Sequence, residues 1–261
     1  MTDYRLMVAP NGARRSKADH SALPLTPQDL ADCARRCQAA GADALHLHVR
    51  DSAGRHSLDA GRYREAMAEI AKSAPGMEIQ ITTESAGIYD PIAQLACLEA
   101  LRPVSASVSV REIACDPVVA PRLYALAAEA GTRIQHILYS SDCIAHLKRW
   151  YKLGIVPAGM RDAIFVLGKY QPEVMALPQH LEGFLAATQG MELNWSCCAF
   201  GRLEHSCLLG ALDAGGDLRI GFENSTQAPD GGLWQDNAAS VAAFVKSAAV
   251  KGHHLQSRVA A

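Results

Sequence analysis

The chain has 261 residues, 49% of them apolar and 20% charged, with 25 basic and 27 acidic side chains for a net charge of −2. That balance supports one sizeable core, offers no basic face for a nucleic acid, and contains no apolar run near the ~18 residues of a membrane span. The opening MTDYRLMVAPNG lacks a basic stretch followed by a long apolar one, so no signal peptide is expected and the cytoplasm is the expected compartment.

RLMVAP (5–10) reads as the first strand and runs into a loop holding Asn11, Gly12 and the basic pair Arg14 and Arg15. TPQDLADCARRCQAAG (26–41) is an amphipathic helix: Thr26 caps it, Pro27 suits its first turn and Gly41 ends it. ALHLHV (44–49) is the second strand, with Arg50 and Asp51 just past its end. A second helix, 59–76, takes Asp59 as its N-cap. EIQITT (78–83) ends beside Glu84 and Ser85, and SASVSV (105–110) ends beside Arg111 and Glu112. RIQHILYS (133–140) carries His136, equally open to a core position or a place behind a site. AIFVLG (163–168), MELNWSCC (191–198) and LRIGF (218–222) complete the strands. Asn194 and Ser196 are expected to shape a ligand wall. DNAASVAAFVKSAAVKG (236–252) is the closing helix, capped by Asp236 or Asn237.

Strands alternating with helices imply parallel strands joined by crossovers, and eight such units in this length are the arithmetic of a (β/α)8 TIM barrel. An open doubly wound sheet is the alternative, but no GxGxxG follows the first strand and no GxxxxGK[ST] loop occurs. No linker or low-complexity stretch divides the chain, so a single domain over 1–261 is expected. The eight cysteines include no CxxC pair and fall mostly within predicted helices and strands, which suits reduced, small buried side chains.

His46 and His48 carry the strongest chemical signal. Residues two apart share one face of a strand, so with Leu45, Leu47 and Val49 turned to the helices both imidazoles point into the barrel. Barrel active sites gather at the C-terminal mouth. Two inward imidazoles are half of a divalent metal site, and that reading is preferred to two histidines bonded to other barrel residues. Glu223 is the best third ligand; its other reading is as an ion-pair partner of Arg219, which the strand period turns the same way. The basic loop 14–17 suits a carboxylate or phosphate.

VAPNGARRSKADHSALPLTPQDLA, AGADALHLHVRDSAGRHSLD and LRIGFENSTQAPDG, followed by DNAASV, together resemble the β-keto acid cleavage enzymes in order along nearly the whole chain. That family includes the 3-keto-5-aminohexanoate cleavage enzyme. The resemblance implies a zinc-dependent barrel, assembled as a homotetramer, that converts a β-keto acid and acetyl-CoA into acetoacetate and a new acyl-CoA. It implies that His46, His48 and Glu223 bind the metal, and that Arg219 orients a base or stabilises the enolate. Where better-known members have a basic aspartate this chain has Asn224, and an amide cannot take the proton; Glu84 and Asp51 are the candidate bases. Where members acting on a cationic substrate have a glutamate this chain has Arg14, which favours an anionic or polar tail such as that of 3-oxoadipate. Asn11, Thr82 and Ser107 complete the expected substrate contacts.

Two other classes compete. A metal-dependent amidohydrolase also uses a barrel with HxH, but on its first strand, with further histidines on strands five and six. A barrel kept only as a sugar- or acyl-binding module is the non-enzymatic reading.

Overall fold

Eight parallel strands close on themselves in the computed structural model, which describes residues 3–170 and 172–256. The outermost residues of the expected domain, 1–2 and 257–261, lie outside the described residues, as does residue 171. The strands are β1 (Leu6–Val8), β2 (Ala44–Leu47), β3 (Glu78–Thr82), β4 (Ser105–Ser109), β5 (Arg133–Leu138), β6 (Asp162–Leu167), β7 (Asn194–Ala199) and β8 (Asp217–Ile220). Each pairs with its neighbours in sequence, and β8 closes the ring on β1 through Leu218–Leu6, Arg219–Met7 and Ile220–Val8. One principal helix follows each strand: α1 (Pro27–Ala39), α2 (Ala60–Ser73), α3 (Pro91–Leu101), α4 (Val119–Ala130), α5 (Ser141–Lys152), α6 (His180–Thr188), α7 (Glu204–Asp213) and α8 (Asn237–Val250).

Local chemistry accounts for several of these boundaries. Thr26 and Asp29 form a reciprocal capping box on α1, with Pro27 at its first turn. Asp59, Asp90 and Asp236 each accept a backbone N–H at the start of α2, α3 and α8. Asp236 also pairs with Arg36, tying the last helix to the first. Asp3–Tyr4 lies parallel to His254–Leu255 and joins the two ends of the chain.

The apolar core lies mainly between barrel and helices, where Val8, Leu45, Leu47, Val108, Ile134, Phe165 and Leu218 face outward from the strands. The inside of the barrel is divided. Ile137, Ile164, Val166 and Cys198 form a small apolar wall on β5 to β7. The rest is polar, with His46, Gln80, Thr82, Ser105, Ser107 and Arg219 all buried. Polar groups in such a place must find partners or a function.

Two local departures matter for the site. The second strand stops at Leu47; Val49–Arg50 then pairs antiparallel with His56–Ser57 as a small hairpin over the barrel mouth. The eighth ends at Ile220 rather than 222, because Gly221 takes φ +140° and turns the chain. A Cβ at that glycine would stand 2.4 Å from the Ala9 carbonyl oxygen, so only glycine permits the close approach to β1.

Candidate metal and active site

His46 enters the barrel from β2 and His48 from the residue just past its end, still turned to the same side, and both are buried. Glu223 comes from the turn after β8, where its backbone N–H is held by the Ala9 carbonyl. Its Oε2 lies 3.7 Å from His46 Nε2 and 3.6 Å from His48 Nε2. One ligand atom from each residue falls within 4.8 Å of the others. Gly12 makes room for this: it sits at φ +60°, and a Cβ there would meet Glu223 Cγ at 2.7 Å.

The three groups fit a divalent cation. Bonds of about 2.1 Å in a tetrahedral shell separate two ligands by roughly 3.4 Å, close to the spacing found here. His48 Nε2 and Glu223 Oε2 are buried with no hydrogen-bond partner among the described residues. His46 Nδ1 lies 2.7 Å from Gln80 Oε1, a hydrogen bond that leaves Nε2 as the free ligand atom. Electrostatics point the same way. Burial, then the nearby Arg219, holds the His46 imidazole well below the usual range and hence neutral. Burial alone would raise the carboxyl of Glu223, but the Arg219 guanidinium outweighs it and keeps the group well below the usual carboxylate range.

Arg219 is buried inside the barrel, its Nη2 3.4 Å from both Glu223 Oε1 and Cys198 Sγ. Its Nε and Nη1 have no partner among the described residues. The two expectations for Glu223, metal ligand and arginine partner, are therefore compatible: one oxygen faces each.

The pocket above these groups is lined by Asn11, Gly12, Arg14, Arg15, Glu84, Arg111, Lys169, Arg219 and Glu223, with Tyr139, Tyr170, Val166 and Phe200 as its apolar wall. Arg111 packs 3.6 Å over the Tyr139 ring and Arg15 5.2 Å over Tyr170, so both guanidinium groups are held rather than free. Glu84 reaches in from the end of β3, with Oε2 3.8 Å from His48 Nε2.

Other expected site residues occupy different surroundings. The Asp51 carboxylate accepts from the backbone of Ala53 and Arg55 and pairs with the Arg55 side chain, closing the hairpin turn. Thr82 and Ser107 are fully buried; Ser107 donates to Thr82 Oγ1, which accepts the Glu84 N–H. Asn11 donates its amide to the carbonyls of Pro24 and His48. Asn224 is completely buried, both its amide atoms without partners among the described residues, and it lines an adjoining cavity that shares Arg15, Lys169, Tyr170 and Phe200 with the first. Asn194 and Ser196 correct the expected ligand wall: both line a cavity at the opposite, N-terminal end of the barrel, because β7 starts only at Asn194. His136 settles in the outer layer, stacked on Tyr124 with Nδ1 2.8 Å from the Asp162 carbonyl.

Sequence reasoning missed Gln80, His56 and Glu204. Gln80 was legible, since EIQITT puts it on the same face as Thr82. The His56 ring lies 5.2 Å from that of His48, with Nε2 2.8 Å from the Glu84 carbonyl. No strand period foretells that fold-back. Glu204 is buried at the start of α7 and accepts the Gly221 N–H; burial holds its carboxyl well above the usual range.

A family model described as beta-keto acid cleavage enzyme matches residues 5–260. A protein named 3-keto-5-aminohexanoate cleavage enzyme from Fusobacterium nucleatum is 25% identical over 258 residues, covering 94% of this chain and 90% of its own. A 3-oxoadipate:acetyl-CoA acetyltransferase from Cupriavidus necator is 26% identical over 248 residues, covering 90% and 85%. Among solved structures, a ternary complex of ObcA with a C4-CoA adduct and oxalate superposes with a TM-score of 0.70 at 16% identity. That match covers 90% of this chain and 65% of the ObcA chain, and it is a likeness of fold.

Proposed function

Because the chain belongs to the β-keto acid cleavage enzyme family, we propose that its barrel mouth cleaves a β-keto acid with acetyl-CoA, releasing acetoacetate and a new acyl-CoA. The acetyltransferase relative, named for 3-oxoadipate and acetyl-CoA, supports that chemistry. The observation that carries the reading is the convergence of His46, His48 and Glu223, with buried ligand atoms left unpartnered, on a pocket that also holds Arg219. Zinc is our choice of metal for this donor set, and when bound it would supply a Lewis acid for the charge that develops on a keto oxygen.

The remaining work falls to the chain's own groups. Arg219 turns two uncommitted N–H donors toward an anionic oxygen in a site shielded from water, where such donors act most strongly. Glu84 lines the pocket and takes the C2 proton, whereas Asp51 is spent on its turn. Thr82, with Ser107 behind it, holds the Glu84 backbone in register. Asn224 offers hydrogen bonds but no base.

The substrate's far end meets a cationic wall. Besides Arg219 at the reacting end, Arg14, Arg15, Arg111 and Lys169 line the pocket, against only Glu84 and Glu223 as carboxylates among the described residues. An anionic tail such as that of 3-oxoadipate therefore gains Coulomb energy that an ammonium tail would lose. Assembly as a tetramer and a cytoplasmic location belong to the same proposal.

The test is CoA-ester formation from acetyl-CoA and a panel of β-keto acids with anionic, neutral and cationic tails, run with metal-loaded and metal-stripped protein. Metal-dependent acetoacetate release with the anionic tail at least tenfold preferred is expected. A preferred cationic tail would sink the substrate assignment, and no turnover by zinc-loaded protein would sink the reaction.

A further inference from the structure

Two buried side chains, Gln80 and Ser196, and the half-buried Gln135 between them run in file behind His46. Gln80 lies directly beside His46 in the β2–β3 register, its Oε1 2.7 Å from His46 Nδ1. Its Nε2 donates to Gln135 Oε1 at 3.2 Å, and Gln135 Nε2 donates to Ser196 Oγ at 3.1 Å. The Ser196 hydroxyl donates to the Ala163 carbonyl at 3.4 Å. The file spans the barrel from β2 to β6 and β7. It bypasses β4, where the inward Ser107 donates to Thr82 instead.

We propose that Gln80, held by Gln135 and Ser196, is a positioning residue that fixes the tautomer and orientation of His46 for metal binding. The inference rests on the metal reading above. Every link has the same sense: Ser196 donates to the Ala163 carbonyl, Gln135 to Ser196 and Gln80 to Gln135. The Gln80 oxygen is thereby left to accept from His46 Nδ1. His46 Nδ1 then carries the hydrogen, and Nε2 keeps its lone pair toward Glu223. The reverse sense would place a hydrogen on His46 Nε2, where no cation could be accepted. Outer partners of this kind change metal affinity by about 10–100-fold. His48 has no such anchor: both its ring nitrogens lack partners among the described residues, so the file acts on one ligand only.

The full-length protein and its Gln80→Leu, Gln80→Glu and Gln135→Leu variants would be compared by zinc competition against a chelator, by the cobalt absorption spectrum, and by 15N NMR of metal-free imidazoles. Gln80→Leu should lower zinc affinity about 10–100-fold and remove the preference for the Nδ1–H form of His46. Gln80→Glu, which keeps an acceptor, should restore both, and Gln135→Leu should fall between. Melting of the metal-free proteins separates these effects from loss of fold. Gln80→Leu with wild-type zinc affinity and cobalt spectrum, or a wild-type His46 protonated on Nε2, overturns the proposal alone. Wild-type protein that takes up no zinc overturns the metal reading with it.

Discussion

Glu223 carries two duties through two oxygens, and the residue scale is where they separate. One oxygen lies 3.4 Å from the Arg219 guanidinium and the other faces the two imidazoles. Glu223→Gln keeps an acceptor for the arginine but loses the charge and basicity a cation requires. Zinc affinity should fall by more than the roughly 100-fold of a lost outer partner. The cost in stability should stay under the 3–5 kcal/mol typical of a buried charge stripped of its partner. Zinc per chain after dialysis and the urea midpoint measure the two. Metal retained alongside a large loss of stability would return Glu223 to a purely ion-pairing role. The histidines were readable without a structure because a period of two is built into any strand. Glu223 was readable as the carboxylate that the end of the eighth strand and the family resemblance place at the barrel mouth, but nothing in a sequence states how close a turn will bring its side chain to the histidines.

At the scale of elements, two loops built on glycine deliver that carboxylate. The β1 loop passes Gly12 under Glu223, and the turn after β8 passes Gly221 against Ala9. Gly12→Ala combines a left-handed backbone penalty of about 1–2 kcal/mol with a Cβ placed against the Glu223 side chain. Gly54, at φ +78° with nothing within 4 Å, is the matched control. Gly54→Ala should lose similar stability and keep its zinc affinity, whereas Gly12→Ala should lose at least tenfold in affinity. Equal zinc binding by both would show that the space beneath Glu223 is not limiting. Helix starts were legible at this scale because capping is local: Thr26 and Asp59 sit at their caps, and Asp236 takes the third. The premature end of β2 and its hairpin were not, because that pairing lies beyond the strand's own period.

The whole molecule sets the response to pH. Burial pulls His136 and His205 down to about 4 from the ordinary 6.5, so both are neutral in the folded chain at pH 5 while an unfolded chain binds the protons. Their contribution to stability is therefore intact above pH 6.5 and is lost progressively as pH falls toward 4. His205 bonds Ser240 and stacks on Trp234, neither of which is among the metal-binding groups. Between pH 7 and pH 5 wild type should lose about 2 kcal/mol more than His205→Gln, which has no proton to take up. Urea unfolding at the two pH values measures the difference, and identical losses would remove His205 as a source of acid sensitivity. His136 shows why burial is a property of the molecule. It shares the outward face of its strand with Ile134, and the fold brings Tyr124 of α4 against it there.

What the sequence determined by itself follows from short-range rules: eight strand–helix units, their caps, the inward pair His46 and His48, and motifs specific enough to name a family. These are set by backbone period and by contacts within a few residues. What only the tertiary structure decided is how distant segments meet. Ring closure brings β8 beside β1 and carries Glu223 to histidines 175 or more positions earlier in the chain. Closure also gathers Arg14, Arg111 and Lys169 around one pocket and lines Gln80, Gln135 and Ser196 into a single file. Hydrogen bonds and charges act over a few ångströms, so their partners are chosen by the fold.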